Sequence, residues 1–394
     1  MATVGSMSMT TYDPYAADVM HDPYPYYEWL RENAPLFHDE VNRFWVISRY
    51  ADVHWALRNH EVFSSNEGVG AERRPVPMMI ALDPPDHTRL RRIVQHEFVP
   101  KAIAEWAPRV RQLVDARLDD ALAAEQVDWP SVVAHPLPIQ VIAEMLGVPG
   151  EDRIRFKHWS DDTLDALGGG LAPEQSARVE AAIIEFSQYL YDAILTRRER
   201  PADDLISLLL NPRKGEVLTD NEIVSFTMLL LVAGNETTTN LIGNLALAFV
   251  ENPDQWALLK ADRSLVPQAV EEILRLDSPI QGFFRNTLTA VERNGVTIPA
   301  GEKVMVLFGS ANHDPDVFPD PERFDITRPA TNHLAFGSGI HLCLGAPVAR
   351  LEATLLLRSM LERIDHLELA GDVQRTTNPL LRGVARLPLR VVPA

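Results

Sequence analysis

The chain of 394 residues has a single cysteine, Cys343. One cysteine cannot form an intramolecular disulfide, so the sequence is not that of a disulfide-stabilised secreted scaffold, and it cannot supply a zinc site with four cysteine ligands. Positive charge is also scarce, because 37 Lys and Arg are set against 55 Asp and Glu, which gives a formal net charge of −18. This balance argues against a nucleic acid or an anionic membrane as a partner.

Several kinds of segment are missing as well. The first twenty residues have neither a basic region nor a long apolar region, so the sequence predicts no secretory signal and, by default, a cytoplasmic location. It contains no internal repeat, glycine-serine linker or low-complexity tail, which predicts a single domain over residues 1–394. An apolar fraction of 46% is sufficient for a large core.

Helical periodicity dominates the first two thirds of the chain. From Trp106 to Leu122 an apolar residue recurs every four positions, the spacing of one face of an amphipathic helix. Strand patterns are sparser and lie near residues 44–50, 297–308 and the C-terminus. The sequence therefore predicts a mainly α fold with a smaller β part, and the other predicted helices cover residues 51–59, 87–98, 177–198, 253–261, 265–276 and 345–364.

The longest apolar element runs from Ile223 to Val250. An uninterrupted run of this length would span a membrane, but polar residues from Asn235 to Asn240 interrupt it. This pattern is typical of a helix that crosses the centre of a soluble protein and carries a polar, functional segment. We therefore expect this helix to line a functional site.

The segment FGSGIHLCLG, residues 336–345, surrounds the cysteine with glycines. Gly337, Gly339 and Gly345 would allow a tight loop that aims backbone N–H groups at the sulfur. A helical pattern follows at once, so Cys343 would lie at the positive end of a helix dipole. N–H donors and the dipole lower the pKa of a thiol, and such a sulfur is a nucleophile or a metal ligand. A small buried cysteine in the core is the alternative.

This segment resembles the heme-binding loop of the cytochrome P450 family, a specific ten-residue pattern. The resemblance implies the P450 fold, a triangular α-helical prism with a small β-rich subdomain, and heme b (iron protoporphyrin IX) as the cofactor. It makes Cys343 the axial thiolate ligand of the heme iron, a ligand that pushes electron density onto the metal and favours O–O cleavage. The defined positions of the pattern are filled here by Phe336, Gly339, His341, Cys343 and Gly345.

Further motifs, in the family's order, extend the resemblance over nearly the whole chain. Glu272 and Arg275 lie three residues apart on one helical face, where an ion pair forms readily. The family joins this pair to a later arginine, which the resemblance assigns to Arg323 in the segment PERF. We expect these three residues to support the fold and the heme loop and to take no part in the chemistry.

The central helix is predicted to supply the chemistry. The Thr237 hydroxyl can bond to the carbonyl of Ala233, four residues earlier, which would loosen the helix and leave room beside Ala233 and Gly234 for dioxygen and water. The family has an acid followed by an alcohol here, matched by Glu236 and Thr237, and uses them to relay protons during oxygen activation. A solvated, non-functional Glu and Thr is the alternative.

A cationic cluster is expected at the heme propionates. His87 and Arg91 lie four residues apart on one helical face, so both can reach one anionic group; the resemblance adds Arg285 and His341. It also implies separate electron donors, a ferredoxin or flavodoxin with its reductase, since the sequence contains no flavin or iron–sulfur domain. Nearby cations that could receive an acidic donor are Arg89, Arg92, Lys101, Arg109 and Arg111.

The predicted substrate pocket is mostly apolar. Family position selects the segments 69–82 and 167–171 and, as individual residues, Leu229, Val232, Ile280, Phe283, Phe284 and Leu381. If the phenylalanines are not core residues, they predict a compact cavity and a small neutral aromatic substrate that is hydroxylated or O-dealkylated, for example by O-demethylation. A terpenoid, a fatty acid or a polyketide is the alternative substrate. A peroxide-driven or non-catalytic heme-thiolate protein and a heme-free helical interaction protein are the alternative functions.

Overall fold

The computed structural model describes residues 12–149, 152–168, 172–212 and 216–394, and helices are its main element. Short 3₁₀ turns lie at Met79–Ala81, Gln95–Phe98, Arg263–Leu265 and Gly339–His341, and a π-helical turn at Pro130–Ala134. The α-helices are α1 (Ala17–His21), α2 (Tyr24–Asn33), α3 (Tyr50–Arg58), α4 (Asp86–Val94), α5 (Pro100–Ala104), α6 (Ala107–Leu122), α7 (Pro136–Met145), α8 (Arg153–Gly168), α9 (Pro173–Glu199), α10 (Leu205–Leu210), α11 (Asp220–Glu251), α12 (Pro253–Ala261), α13 (Val266–Leu276), α14 (Phe308–Ala311) and α15 (Ala346–Arg363).

The strands form a smaller part. A five-stranded sheet has the order β1-β2-β8-β5-β3, a three-stranded sheet has the order β4-β12-β9, and β6-β7 and β10-β11 form two-stranded pairs. Only the β2–β8 pair is parallel among the described strand pairs. The strands are β1 (Leu36–Asp39), β2 (Phe44–Ile47), β3 (Phe63–Ser64), β4 (Val127–Asp128), β5 (Gly282–Thr287), β6 (Val291–Arg293), β7 (Val296–Ile298), β8 (Lys303–Leu307), β9 (Ile364–Leu369), β10 (Gln374–Arg375), β11 (Val384–Arg386) and β12 (Pro388–Pro393).

The predicted mainly α architecture is confirmed, with small differences at the ends of elements. The helix predicted over residues 253–261 has these bounds in the structure, whereas the one predicted over 177–198 begins earlier, at Pro173. The sequence patterns missed β5, because its core is the apolar pair Phe283 and Phe284, which shows no alternation. The single-domain organisation stays a prediction.

The central helix, α11, is the element around which the others pack. It begins at a capping box, in which Thr219 Oγ1 accepts from the Glu222 N–H at 3.3 Å and Glu222 Oε2 accepts from the Thr219 N–H at 2.8 Å. It contacts α7, α8, α9 and α13. Its apolar residues are buried on nearly every side, as expected of a helix that crosses a core. Across the described ranges, no helix is long and apolar enough to cross a membrane.

A buried ion pair on α13 connects the helical core to the loop that contains Arg323 and Arg328. Glu272 and Arg275 are both 0% exposed, and Arg275 Nε lies 2.8 Å from Glu272 Oε2. The third side chain in this network is that of Arg328, whose Nε is 3.1 Å from Glu272 Oε1. Arg323 is exposed and contributes only its backbone carbonyl, 3.4 Å from Arg275 Nη2.

The prediction for the Arg323 side chain is therefore wrong. The loop that follows PERF folds back on itself, and Arg328 also donates to the carbonyls of Pro319 and Asp320 at 2.5 and 3.0 Å. Arg328 thereby binds the loop to the buried carboxylate of Glu272. Spacing along the sequence could not choose between two arginines five residues apart in an irregular loop.

The corrected network can be tested by comparing these two arginines. Arg328→Met should lower the free energy of unfolding by about 2–4 kcal/mol, because it leaves a buried carboxylate with one partner fewer. The matched control is Arg323→Met, which keeps the backbone carbonyl and should change stability by less than about 0.5 kcal/mol. Denaturant unfolding of the heme-loaded protein measures both. A larger loss in the Arg323 variant would contradict the assignment.

Candidate active site

The loop that carries Cys343 needs glycine at two positions. Gly337 and Gly339 have φ values of 70° and 71°, in the left-handed region that side chains disfavour. A Cβ atom on Gly339 would also lie 2.4 Å from the carbonyl oxygen of Leu57. The Cys343 N–H closes the loop by donating to the Phe336 carbonyl at 2.9 Å. Gly345 is the N-cap of α15. Its φ of −80° is one that other residues adopt readily, so this position does not need the conformational freedom of glycine.

The sulfur of Cys343 lies at the start of α15, as predicted. Burial raises the pKa of this thiol above its ordinary value, although the backbone N–H groups of Gly345 and Ala346 and the cations Arg91 and Arg350 act in the opposite direction. The expectation of a lowered pKa is therefore not met for the isolated thiol. A thiolate here needs a cation bonded to it, which favours a metal ligand over a free nucleophile.

The cysteine is surrounded by protein and yet has an accessible side chain. Both statements hold for a residue that lines an internal cavity. Ala233 is also exposed, although it lies in the middle of α11 between buried residues such as Leu231 and Asn235. By the resemblance to the P450 family, these two exposed positions would face the two sides of the heme.

The central helix presents its polar segment at this position. Thr237 Oγ1 donates to the carbonyl of Ala233 at 2.6 Å, as predicted, and Glu236 is half-buried. On buried sides of the helix, Asn235 Nδ2 donates to Ser160 Oγ at 3.2 Å and Thr239 Oγ1 donates to the Ala134 carbonyl at 3.1 Å. These two bonds fix the helix to its neighbours. The predicted loosening is not seen, since α11 is helical without interruption from Asp220 to Glu251.

Two histidines meet at the cysteine loop, namely the buried His87 and the half-buried His341 of the loop itself. The rings of His87 and His341 have centroids 4.5 Å apart. In the part of the chain that the structure describes, neither ring nitrogen of His87 nor Nε2 of His341 has a hydrogen-bond partner. Buried polar atoms are rarely left in this state without a ligand to satisfy them.

Two arginines complete the cluster. Burial lowers the pKa of His87 to about 4, and burial with the nearby Arg285, His87 and Arg91 lowers the pKa of His341 to about 2. Arg285 is itself buried, which lowers its pKa to about 10. Hydrogen-bond donors and like charges collected in one buried place are stabilised by an anion. The cluster therefore fits the two carboxylates of a heme.

The comparison with known proteins decides the family. The model of the family described as "Cytochrome P450" matches residues 171–391. The chain is also 42% identical over 366 residues to cytochrome P450 107B1 of Saccharopolyspora erythraea, an alignment that covers 88% of this chain and 89% of that protein. The chain belongs to the cytochrome P450 family.

Two further relatives support this result. Vitamin D(3) 25-hydroxylase of Pseudonocardia autotrophica is 38% identical over 407 aligned positions, covering 98% of this chain and 99% of that protein. The solved structure of CYP109E1 from Bacillus megaterium in complex with corticosterone has a TM-score of 0.86 and 36% identity, covering 95% of this chain and 99% of that one. The P450 fold predicted from the sequence is confirmed, and the cofactor of this P450 is heme b.

The residues present fit that cofactor on both of its sides. Cys343 is placed to bind the heme iron as a thiolate. By the family resemblance, His87, Arg91, Arg285 and His341 would bind the propionates, and Ala233, Gly234 and Thr237 would face the heme from the central helix. A thiolate-ligated heme supplies the activation of dioxygen, and the thiolate favours O–O cleavage. The roles of the individual residues stay assignments from geometry.

The predicted pocket residues separate into two groups. Val232 and Leu381 pack together with Ile280, which also forms a β-bridge with Leu381. Phe284 is 1% exposed and packs edge-to-face on Phe44 at 5.0 Å, in a core cluster behind the sheet. Phe284 therefore does not line the pocket, because alternation along β5 turns it away from the face that carries Arg285.

The other predicted pocket residues are Phe283, Leu229 and the segments 69–82 and 167–171. Phe283 shares the face of Arg285 but packs edge-to-face on Phe308 at 5.9 Å, beside another apolar cluster. Leu229 packs partly buried against the main core. In the segment 69–82, Val69 and Met79 are buried. The segment 167–171 continues past the end of α8, and its residues 169–171 lie outside the described residues.

Three residues beside the cysteine loop were missed by the sequence motifs. Arg350 lies over the ring of Phe336 and forms an ion pair with Glu271. Glu271 also contacts His333. The only sequence signal is weak, namely that Arg350 follows Cys343 by seven residues, or about two helical turns. Nothing in the spacing indicates Glu271 as its partner.

The propionate assignment predicts that the protein loses heme faster when the charge of Arg285 is removed. Arg285→Met should speed the transfer of heme to a heme-scavenging apoprotein by about tenfold or more, because a hydrogen bond between charged groups contributes about 1.5–3 kcal/mol. The control is Arg293→Met, since Arg293 is already paired with Asp52 and should leave the transfer rate unchanged within about twofold. Equal rates for the two variants would remove Arg285 from the heme site.

Proposed function

We propose that this P450 monooxygenase hydroxylates a neutral, polycyclic hydrophobic substrate of the terpenoid type. The reaction takes one substrate C–H bond, one O2, two electrons and two protons, and gives the alcohol and one water. The observation that carries the proposal is the apolar group of Val232, Ile280 and Leu381 near the Thr237 segment, with Phe284 packed in the core.

The compact aromatic substrate loses one of the two side chains on which it depended. That hypothesis depended on at least one of Phe283 and Phe284 narrowing the cavity. Phe284 is in the core behind the sheet, whereas Phe283 is half-buried, shares the face of Arg285 and packs on Phe308. The side chains of Val232, Ile280 and Leu381 offer apolar surface, which suits a large neutral guest.

The names of two relatives point in the same direction. One similar protein is a vitamin D(3) 25-hydroxylase, and another was solved in complex with corticosterone. Both molecules are large, mostly hydrophobic and carry few polar groups. We infer a guest of this chemical class for the present chain, in agreement with the terpenoid alternative of the sequence analysis.

The acid and alcohol of α11 handle the protons in this proposal. Glu236 exchanges a proton with water, and Thr237 Oγ1 accepts a hydrogen bond from a water in the cavity while it donates to the Ala233 carbonyl. A water held in this way can deliver protons to the place where O2 is reduced. A protein that only binds heme, or that uses peroxide, has no need of this pair, so monooxygenation is favoured.

Electron delivery is proposed to come from a ferredoxin or flavodoxin with its reductase. Of the cations suggested for the docking face, Arg92, Lys101 and Arg109 are exposed, and Arg109 Nε lies 3.7 Å from Glu144 Oε2. Arg89 is paired with Glu222 and Glu216, and Arg111 is paired with Asp115 and Glu362. Because their charges are compensated, Arg89 and Arg111 are weaker attractors of an acidic donor than Arg92 and Lys101.

The proton relay is tested with two valine variants of α11. Thr237→Val should lower the product formed per pair of electrons by about tenfold or more and divert the electrons to hydrogen peroxide, since general acid catalysis is lost. Thr239→Val is the control, because its hydroxyl bonds to the Ala134 carbonyl in the core. Product and peroxide are measured together against electron consumption. Unchanged coupling in the Thr237 variant would remove this residue from the mechanism.

The substrate class is tested by titrating holoprotein with four sets of guests. Steroids and polycyclic terpenoids should give the spin-state change of the heme spectrum at concentrations about tenfold or more below those of small aromatic ethers, because ~100 Å² of extra apolar burial contributes about 2.5 kcal/mol. Fatty acids and macrolides are the other two sets. Ile280→Phe should weaken the polycyclic guests selectively. Tight responses from small aromatic ethers alone would restore the compact-pocket hypothesis.

A further inference from the structure

Arg350 places a positive charge against the loop that carries the cysteine. Its guanidinium carbon is 4.5 Å from the ring centroid of Phe336. Phe336 is joined to Cys343 by the backbone hydrogen bond that closes the loop. The arginine belongs to the second turn of α15, the helix that begins directly after the cysteine. A change at Arg350 is therefore transmitted to the surroundings of the sulfur through one aromatic ring.

Glu271 compensates the charge of this arginine. Arg350 Nε is 2.6 Å from Glu271 Oε1 and Nη2 is 2.8 Å from Oε2, which is a bidentate ion pair. Burial alone would raise the pKa of Glu271, but Arg350 and His333 lower it to about 2. Glu271 is therefore ionised at neutral pH. Its side chain is 16% exposed, whereas that of Arg350 is 41% exposed.

His333 completes the cluster without adding a charge. Its Nε2 lies 3.0 Å from Glu271 Oε2, and its Nδ1 accepts the Ala335 N–H at 3.2 Å. A nitrogen that accepts a backbone N–H carries no proton, so the proton of this ring is on Nε2 and points to Glu271. The cluster of Arg350, Glu271 and His333 is then neutral as a whole.

We propose that Arg350 and Glu271 form a compensated charge pair that sets the reduction potential of the heme iron, acting through Phe336 and Cys343. Arg350 is a positioning residue in this sense, because it acts on the iron through other groups. The inference depends on heme ligation by Cys343 and is independent of the proposed substrate class.

The sign of each effect follows from electrostatics. The reduced heme-thiolate centre carries one more negative charge than the oxidised one, so a nearby cation stabilises it and a nearby anion destabilises it. Removing Arg350 leaves the carboxylate of Glu271 uncompensated, which should lower the potential. Removing the charge of Glu271 leaves Arg350 uncompensated, which should raise it. Removing both charges restores a neutral cluster.

The experiment is an optical redox titration of four substrate-free holoproteins: the wild type, Arg350→Met, Glu271→Gln and the double variant. At a fixed electrode potential, the ratio of reduced to oxidised heme should fall about threefold to tenfold in Arg350→Met and rise by a similar factor in Glu271→Gln, where tenfold corresponds to about 59 mV. The double variant should return to within about twofold of the wild type. Because Arg350 is partly exposed, these shifts should shrink at high ionic strength.

Two further variants separate charge from structural damage. Arg350→Lys keeps the cation and should stay within about twofold of the wild-type ratio, even if it loses stability with the bidentate geometry. Arg363→Met removes a charge from the same helix about 20 Å away and should leave the potential unchanged. Heme content and the melting temperature are recorded for every variant.

Opposite shifts in the single variants and recovery in the double variant would support the proposal. Shifts of the same sign, a double variant in which the two shifts add, or a potential that follows the melting temperature would overturn it. In those outcomes the cluster would be a structural support of the loop and nothing more. Thr237 and the pocket residues are untouched in all variants, so the result does not depend on the proposed function.

Discussion

The requirement to hold a heme, by our assignment between Cys343 and the middle of the central helix, is the constraint on which the rest of the structure depends. The cysteine loop must bring a sulfur to one wall, and α11 must expose Ala233 and Thr237 on the other while staying buried elsewhere. Left-handed glycines shape the first wall, and buried bonds from Asn235 and Thr239 hold the second.

The heme also explains why a strongly acidic protein gathers two arginines and two histidines at one place. His87, His341, Arg91 and Arg285 are costly to bury together, as their lowered pKa values indicate. An anionic ligand offsets this cost only when it is bound. Heme binding and stability of the fold are therefore thermodynamically linked in this chain.

Near the cysteine, charges are compensated by side chains of the protein, whereas at the propionates the bound heme would compensate them. Glu271 compensates the charge of Arg350 within the protein. Glu272, the next residue of the same helix, is paired with Arg275 and Arg328. Adjacent acids on α13 thus point to different partners, one in the core and one beside the heme loop. In our proposal, this helix contributes both to the stability of the fold and to the electrostatics of the iron site.

The sequence by itself determined the helical class, the cysteine loop, the acid and alcohol of the central helix, and the bond from Thr237 to Ala233. Each of these depends on local spacing: glycines in a loop, apolar periodicity, or residues four apart in a helix. For the same reason the family could be recognised from a ten-residue segment.

Only the tertiary structure decided which residues meet when they are far apart in the chain. Arg328 and not Arg323 reaches Glu272, because an irregular loop folds back on itself. Phe284 lies in the core and Phe283 against Phe308, because the pairing of β5 with β8 orients their faces. The net pKa of Cys343 and the pairing of Arg350 with Glu271 likewise depend on burial and on contacts between separate elements, which no local pattern encodes.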